Sequence, residues 1–520
     1  MSTLNSAQEG HNKRLSSIAK NTFIVGVGTI YNYILVPFIS VLTTRVLGAE
    51  LYGIYSLAQS WGSLLANFSS LGFAGASYRL LPKYRAFGKW SFIKGSIKLA
   101  VVVASIVSLS ITLFLLIAPN IFCDFFISSS KTPRTPESIS VLHGAFRFYA
   151  ISIFLTAVYL VTVSSLNGVQ AIKEKVLANA IVGPTVKALT LVMLLALGYD
   201  LYAALLSNIF QDLAVLVVST LFLVKLVPSL LDKKVQSEYE KGLITKFAGT
   251  LFVGQILNKY TFQLDVLLLG YFSTLAEVGI YSVALRLQPL VYLPHYTLAS
   301  TFGPIVGELY AKGMIKELGL LYKSVTKWSF TASLLISSVI LIFADEILSV
   351  FGKDFSNGLT ILIILSVGNL IHDFLGIGNN LILMAGKVTI NFYNSVLVAI
   401  INGVSFYFLI KHYGALGAAV GNFISMTSIN LIILFEVSVI FKCHPFQWGL
   451  FKPLAAIAVA SALSFLLKSH IEIPHYKYTF ILFALIHSCV YVAAIYMLGL
   501  DSEDRRILEK VKSRLLRRKK

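Results

Sequence analysis

The sequence is poor in charge. Charged residues fill 13 % of its 520 positions against 56 % for hydrophobic ones, where a soluble domain carries about 25 % charge. Acidic residues are the scarcer sign, 24 against 43 lysines and arginines. A chain so short of charge cannot clothe a soluble globule of this size, which excludes the soluble enzyme classes. Cysteine is rare as well. Cys123, Cys443 and Cys489 fall at different depths of the arrangement that the apolar runs define, so neither a disulfide framework nor a zinc site follows. The neighbouring Cys443 and His444 read as packing residues. No Gly-Lys is followed by Ser or Thr, so the chain has no P-loop and no sign of an internal ATPase. No H-E-x-x-H occurs. The sequence thus implies no cofactor and no metal.

What is abundant is apolar runs of about 20 residues, the length a hydrocarbon core of about 30 Å requires. In lipid every backbone N–H and C=O needs a partner within the segment, so these runs read as helices. They are too long for the alternating strands of a β-barrel. Helices are expected at 22–43, 52–76, 98–118, 146–167, 177–197, 201–224, 248–270, 276–300, 329–349, 359–383, 389–410, 414–438, 452–468 and 478–499. The expected fold class is an all-α polytopic membrane protein of about fourteen transmembrane helices. The polar start, with Lys13, Arg14 and Lys20, lacks the form of a cleavable signal peptide and reads as the cytoplasmic flank of an uncleaved first helix.

An even number of spans puts both ends on one side, and the positive-inside rule chooses it. With the N-terminus in the cytoplasm, 32 of the 43 lysines and arginines lie in cytoplasmic segments, seven in outside segments and four within spans. The inside clusters include Arg79, Lys83, Arg85, Lys89, Lys94 and Lys98, and a tail ending Arg517-Arg518-Lys519-Lys520. The net charge of +19 is therefore a signature of topology rather than of nucleic-acid binding. No outside loop exceeds about 30 residues, short of the ~50 of a small folded domain. This leaves no room for an external catalytic domain and reads as a carrier, not an enzyme.

The chain repeats itself once. Gly53-Ile54-Tyr55-Ser56-Leu57-Ala58 returns as Gly279-Ile280-Tyr281-Ser282-Val283-Ala284, each copy following an Ala-Glu pair. Both open the second helix of a six-helix block, and blocks of six keep their orientation. The expected organisation is an N-terminal six-helix lobe at 1–230, a second at 231–440, an appended helix pair at 441–500 and a basic cytoplasmic tail at 501–520. Parallel repeats of this kind place a transport site between halves and move by alternating access.

Ionisable groups within spans cost about 2.5–3.5 kcal/mol on insertion scales and face protein or water rather than lipid. The cations are Arg147, Lys187, Lys259 and Arg286; the deepest acids are Asp212, Asp265 and Asp373. Two readings stand: structural pairs such as Lys187 with Asp212 or Lys259 with Asp265, or a net positive cavity for an anionic group. Amides including Asn32, Asn208, Gln211 and Gln263 add interior polarity, and a subset lining a cavity would suit a hydroxyl-rich ligand such as sugar. Pro37, Pro184, Pro289 and Pro294 interrupt backbone ladders.

The motifs Arg45-Val46-Leu47-Gly48 and Tyr52-Gly53-Ile54-Tyr55, with Leu71-Gly72-Phe73 and Arg79, resemble the opening of the polysaccharide-transporter family, the lipid-linked oligosaccharide flippases. Asp265 ahead of Val278-Gly279-Ile280-Tyr281, and Phe302-Gly303-Pro304, fit the same pattern. The resemblance implies a multi-pass flippase of a prokaryotic inner (plasma) membrane, with both termini cytoplasmic. It would move a polyprenyl-pyrophosphate-linked oligosaccharide to the outer leaflet for surface polysaccharide biosynthesis. It implies substrate-binding roles for Lys187, Lys259 and Arg286, with Arg45 at the mouth, because Arg and Lys pair with phosphate. Asp265 would carry a coupling ion. Partners implied are the lipid-linked oligosaccharide, membrane lipids and glycan polymerase machinery. The same superfamily holds cation-coupled multidrug antiporters, typically of twelve helices, which keep a second reading open.

Overall fold

The computed structural model describes residues 2–126, 135–470 and 479–499, with side chains except at 2–23, 241, 258–260, 262, 469–470 and 479. The basic tail expected at 501–520 lies outside the described residues. The helices are α1 (Ser2–Ser69), α2 (Phe73–Ala86), α3 (Trp90–Ile117), α4 (Pro119–Phe126), α5 (Pro136–Gly168), α6 (Ile172–Val176), α7 (Gly183–Ala196), α8 (Leu201–Leu226) and α9 (Lys241–Phe272). They continue with α10 (Leu275–Ala311), α11 (Ile315–Ile342), α12 (Ala344–Phe351), α13 (Leu359–Leu375), α14 (Gly378–Met384), α15 (Val388–Phe441), α16 (Phe451–His470) and α17 (Thr479–Met497). Among the described residues no strand occurs.

Among the described residues, ten helices are long and apolar enough to cross a membrane. Two of these, Ile24–Ser69 and Val388–Phe441, are pairs of spans joined at a glycine whose φ is positive, Gly48 at 68° and Gly414 at 55°. Only glycine takes such angles readily. Dividing these two and adding α9 and α10 yields the fourteen expected spans. Boundaries differ in places. The second span stops at Ser69, where Leu71 (φ 43°) and Gly72 (φ 76°) turn the chain into the separate helix α2. The tenth breaks at Gly376 (φ 92°) into α13 and α14.

The contacts group into two compact units, Met1–Gly279 and Ile280–Lys520. In the first, α5 is central and packs on α8, α3, α1 and α2. Most buried positions of α3 are small: Gly95, Ser96, Ala100, Ala104, Ser108 and Thr112 are buried together with Ile93, Ile97 and Leu115, while Val102, Ile106, Leu109 and Leu113 are exposed. That inverts a soluble helix, because lipid tails solvate large apolar side chains and small residues let helices approach. Thr112 Oγ1 donates to the Ala150 carbonyl at 2.8 Å across the α3–α5 seam.

In the second unit α13 packs on α15 and α11, and α16 pairs with α17. A serine stripe on α11, Ser329, Ser333, Ser337 and Ser338, is buried. The last two helices are fastened to it: His487 on α17 meets Ser338 Oγ through Nε2 and Ser464 Oγ through Nδ1, each at 2.9 Å. Tyr491 donates to the Thr331 carbonyl at 3.0 Å.

Candidate functional site

The site in the first unit begins with a proline. Pro184 has no N–H to give the carbonyl of Ala180 one turn earlier. The backbone responds with a π-helical stretch, Leu177–Val182, before α7 resumes at Gly183. Asn32 on α1 donates from Nδ2 to the freed Ala180 carbonyl at 2.8 Å, and Tyr31 and Thr185 join hydroxyls at 2.7 Å. Single-turn π segments mark functional places in many helices. Here the segment is followed, within a turn of Pro184, by Lys187.

Lys187 is buried, 8 % exposed. Its ammonium donates to Tyr55 Oη at 3.0 Å and Asn208 Oδ1 at 2.6 Å, and stands 5.7 Å from the Tyr55 ring centre. Asn208 Nδ2 donates to the same Tyr55 oxygen at 2.9 Å. One helical turn on, Asp212 is buried and accepts from Thr156 Oγ1 at 3.0 Å. Lys187 and Asp212 attract one another electrostatically, but each is hydrogen-bonded to neutral side chains rather than to the other. The lysine group and the carboxyl group are thus held by two sets of neutral partners, with Asn208 and Asp212 on neighbouring turns of α8.

Asn208, Thr156 and Asp212 open onto a cavity of about 270 Å³ whose lining is completed by Gln59, Ser60, Ser63, Tyr149, Tyr159, Gln211 and Gln263. Every lining residue carries a hydroxyl, amide or carboxyl group. Such a wall offers paired donors and acceptors together with tyrosine rings. It matches a ligand rich in hydroxyl groups better than an apolar one.

The expected site residues are distributed as follows. Lys187 meets the wall of the cavity through Asn208. Asp265 lies on α9 two residues from Gln263, is 3 % exposed and accepts the Val266 N–H at 2.8 Å; it is not among the lining residues. Arg45 is exposed on α1, three residues before the Gly48 break. Arg286 is half-buried on α10 in the second unit. Lys259 falls on α9, and its side chain lies outside the described residues. Sequence reasoning missed Tyr55 as the partner of Lys187, although the residue stood inside the repeated motif. It also missed a cluster in the second unit that offers metal-ligating atoms, His295, His372 and Asp373.

Fold and site together define a polytopic α-helical membrane protein with a polar cavity inside its first unit. The family model described as Polysaccharide biosynthesis protein matches residues 18–300, and a MatE model matches 251–409. The chain belongs to the polysaccharide biosynthesis protein family. It is 26 % identical over 400 residues to a probable low-salt glycan biosynthesis flippase, Agl15, of Haloferax volcanii, covering 75 % of this chain and 76 % of that protein. An uncharacterized membrane protein of Methanocaldococcus jannaschii is 22 % identical over 71 % of this chain and 73 % of its own. Among solved structures, the lipid II flippase MurJ in an inward closed conformation superposes with a TM-score of 0.68 at 16 % identity, over 91 % of this chain and 98 % of that one. An inward-facing multidrug resistance MATE family transporter of the MOP superfamily reaches 0.65 at 15 % identity, over 82 % and 95 %. These likenesses establish the fold.

Proposed function

We propose that the protein is a flippase that carries a polyprenyl-pyrophosphate-linked oligosaccharide across the cytoplasmic membrane by alternating access, with both termini cytoplasmic. The observation that carries this reading is the cavity walled wholly by polar side chains, set beside a buried lysine. Its volume is below the ~300 Å³ at which drug-sized pockets begin, so it would take part of such a substrate, a sugar ring with its hydroxyls on Gln59, Asn208 and Gln211. Lys187 would supply positive potential behind that wall. Arg45, Lys259 and Arg286 remain the proposed contacts for the pyrophosphate, and Asp265 the proposed ion-coupling group. The relative named as a glycan biosynthesis flippase supports the substrate class, and the positive-inside asymmetry supports the orientation.

The test is leaflet movement in proteoliposomes. Purified protein is reconstituted with a lipid-linked oligosaccharide, and outward-facing sugar is read with an impermeant lectin. Protein-dependent movement that falls at least tenfold in Lys187→Met and Asn208→Ala is the expected result. Movement at full rate in both variants would remove this cavity from the mechanism.

A second reading, a cation-coupled multidrug antiporter, is favoured by the MatE match over 251–409 and by the buried carboxylate of Asp212 in the cavity. It predicts drug efflux driven by an imposed ion gradient and no glycan movement in the same liposomes.

A further inference from the structure

We propose that the second unit holds a site for a divalent transition-metal ion of the zinc class, ligated by His295 on α10 and by His372 and Asp373 on α13. Each residue offers one ligand atom, and the three atoms lie within 4.8 Å of one another. Asp373 is fully buried and His295 is 4 % exposed. His295 Nδ1 and Asp373 Oδ1 stand 2.7 Å apart, yet neither atom makes an aligned hydrogen bond. Both carboxylate oxygens of Asp373 and both ring nitrogens of His372 are likewise shielded from solvent without an aligned hydrogen-bond partner.

Five buried polar atoms in this condition are costly. Each unsatisfied buried group forfeits about 1–3 kcal/mol, more when charged, and native interiors rarely tolerate several together. A cation at their centre bonds one atom from each of the three residues at once. Two ligands on one tetrahedral ion with bonds of about 2.0–2.1 Å stand roughly 3.3 Å apart, so the His295–Asp373 pair, at ion-pair distance without the metal, opens to admit it.

The donor set chooses the metal. Sodium, magnesium and calcium take oxygen ligands, whereas two imidazoles and a carboxylate match zinc, cobalt or nickel. Three protein ligands leave a fourth position open. The surroundings fix the rings. Tyr292 stacks on His295 at 4.8 Å and on His372 at 5.2 Å between ring centres, and the two imidazoles are 4.5 Å apart. Asn430 on α15 faces His372. Its Nδ2 donates to the Met426 carbonyl at 2.6 Å, which leaves its oxygen free to accept from one imidazole nitrogen once the ring is turned onto the ion. That arrangement directs the other nitrogen to the ion, as outer partners of metal-bound histidines do.

The test is a cobalt(II) titration of the full-length, metal-stripped protein in detergent, followed by zinc displacement. The expected result is one cobalt per chain with a visible d–d absorption that zinc abolishes. His372→Asn and Asp373→Asn should weaken binding by more than about tenfold, since outer-shell changes alone cost 10–100-fold. His372→Cys, which keeps a ligand at that place, should retain the ion and add a near-ultraviolet thiolate-to-cobalt band. That gain is a signature that misfolding cannot imitate. Cys443→Ser should change nothing. Absence of stoichiometric binding overturns the proposal. So does a signal indifferent to the His372 and Asp373 variants, or one lost in Cys443→Ser.

Discussion

Asn32 shows how one side chain mends a break in another helix. Pro184 deprives Ala180 of its helical donor, and the Asn32 amide supplies the bond instead. In Asn32→Leu the carbonyl would face an apolar group of similar size, at a cost of about 1–3 kcal/mol. A lowered thermal midpoint in detergent, partly restored by Asn32→Gln, is the expected outcome; an unchanged midpoint would mean that the π segment satisfies itself. The same residues mark what the sequence can and cannot disclose. That Pro184 interrupts a span, and that Lys187 is costly in lipid, are legible because both follow from residue type and position alone. The partners of Lys187 are not, because Tyr55 and Asn208 stand 132 and 21 positions away and any of several oxygens would serve. The structural-pair reading set Lys187 against Asp212, the nearest carboxylate within a span, whereas the folded chain bonds it to two neutral oxygens beside an aromatic face. The His295, His372 and Asp373 cluster was hidden for a related reason. Its halves are 77 residues apart, and no fixed spacing announces a site built between two helices.

At the scale of elements, the sequence repeat acquires a physical meaning. A Cβ added at Gly53 would stand 1.8 Å from the Leu275 carbonyl oxygen, and one at Gly279 would stand 2.0 Å from that of Ala49. Each carbonyl lies four residues before the other copy's glycine, so the opening residues of the two copies meet reciprocally, backbone against backbone. Gly53→Ala or Gly279→Ala must therefore push two helices apart, and overpacking of this sort costs about 1–3 kcal/mol. Gly254 on α9 has nothing within 4 Å of an added Cβ, and Gly254→Ala should be neutral or mildly stabilising through helix propensity. Melting curves of the three variants check this. Equal stability throughout would show that the contact relaxes without cost. The existence of the long helices was readable from hydropathy. The breaks at Gly48 and Gly414 fall in or beside the gaps expected at 44–51 and 411–413, whereas that at Gly376 lies inside the span expected at 359–383, where only the folded backbone reveals the positive φ.

For the whole molecule the controlling quantity is the distribution of charge. Moving lysine or arginine across a bilayer during insertion is penalised, so segments rich in them stay in the cytoplasm. With 32 such residues assigned inside and seven outside, inversion would carry the larger group across, and no rearrangement of a single helix compensates for that. If each of the fourteen helical segments crosses once, the number of crossings is even and both ends are expected on one side. Reporter fusions after residues 235 and 520 should therefore be active only for a cytoplasmic reporter, and a fusion after 412 only for an external one. If the fusion after 235 agreed but that after 520 did not, the number of crossings in the second half would be odd. If all three reversed together, the charge rule would have failed for the chain as a whole. A reversal would also send the Arg79–Lys98 cluster, assigned to the inside, to the other face, so introducing acidic residues there should leave orientation unchanged only if those six cations are not what holds it. Replacing all six with glutamine, and finding the first fusion mixed between sides, would identify that cluster as the anchor that directs each face of the carrier.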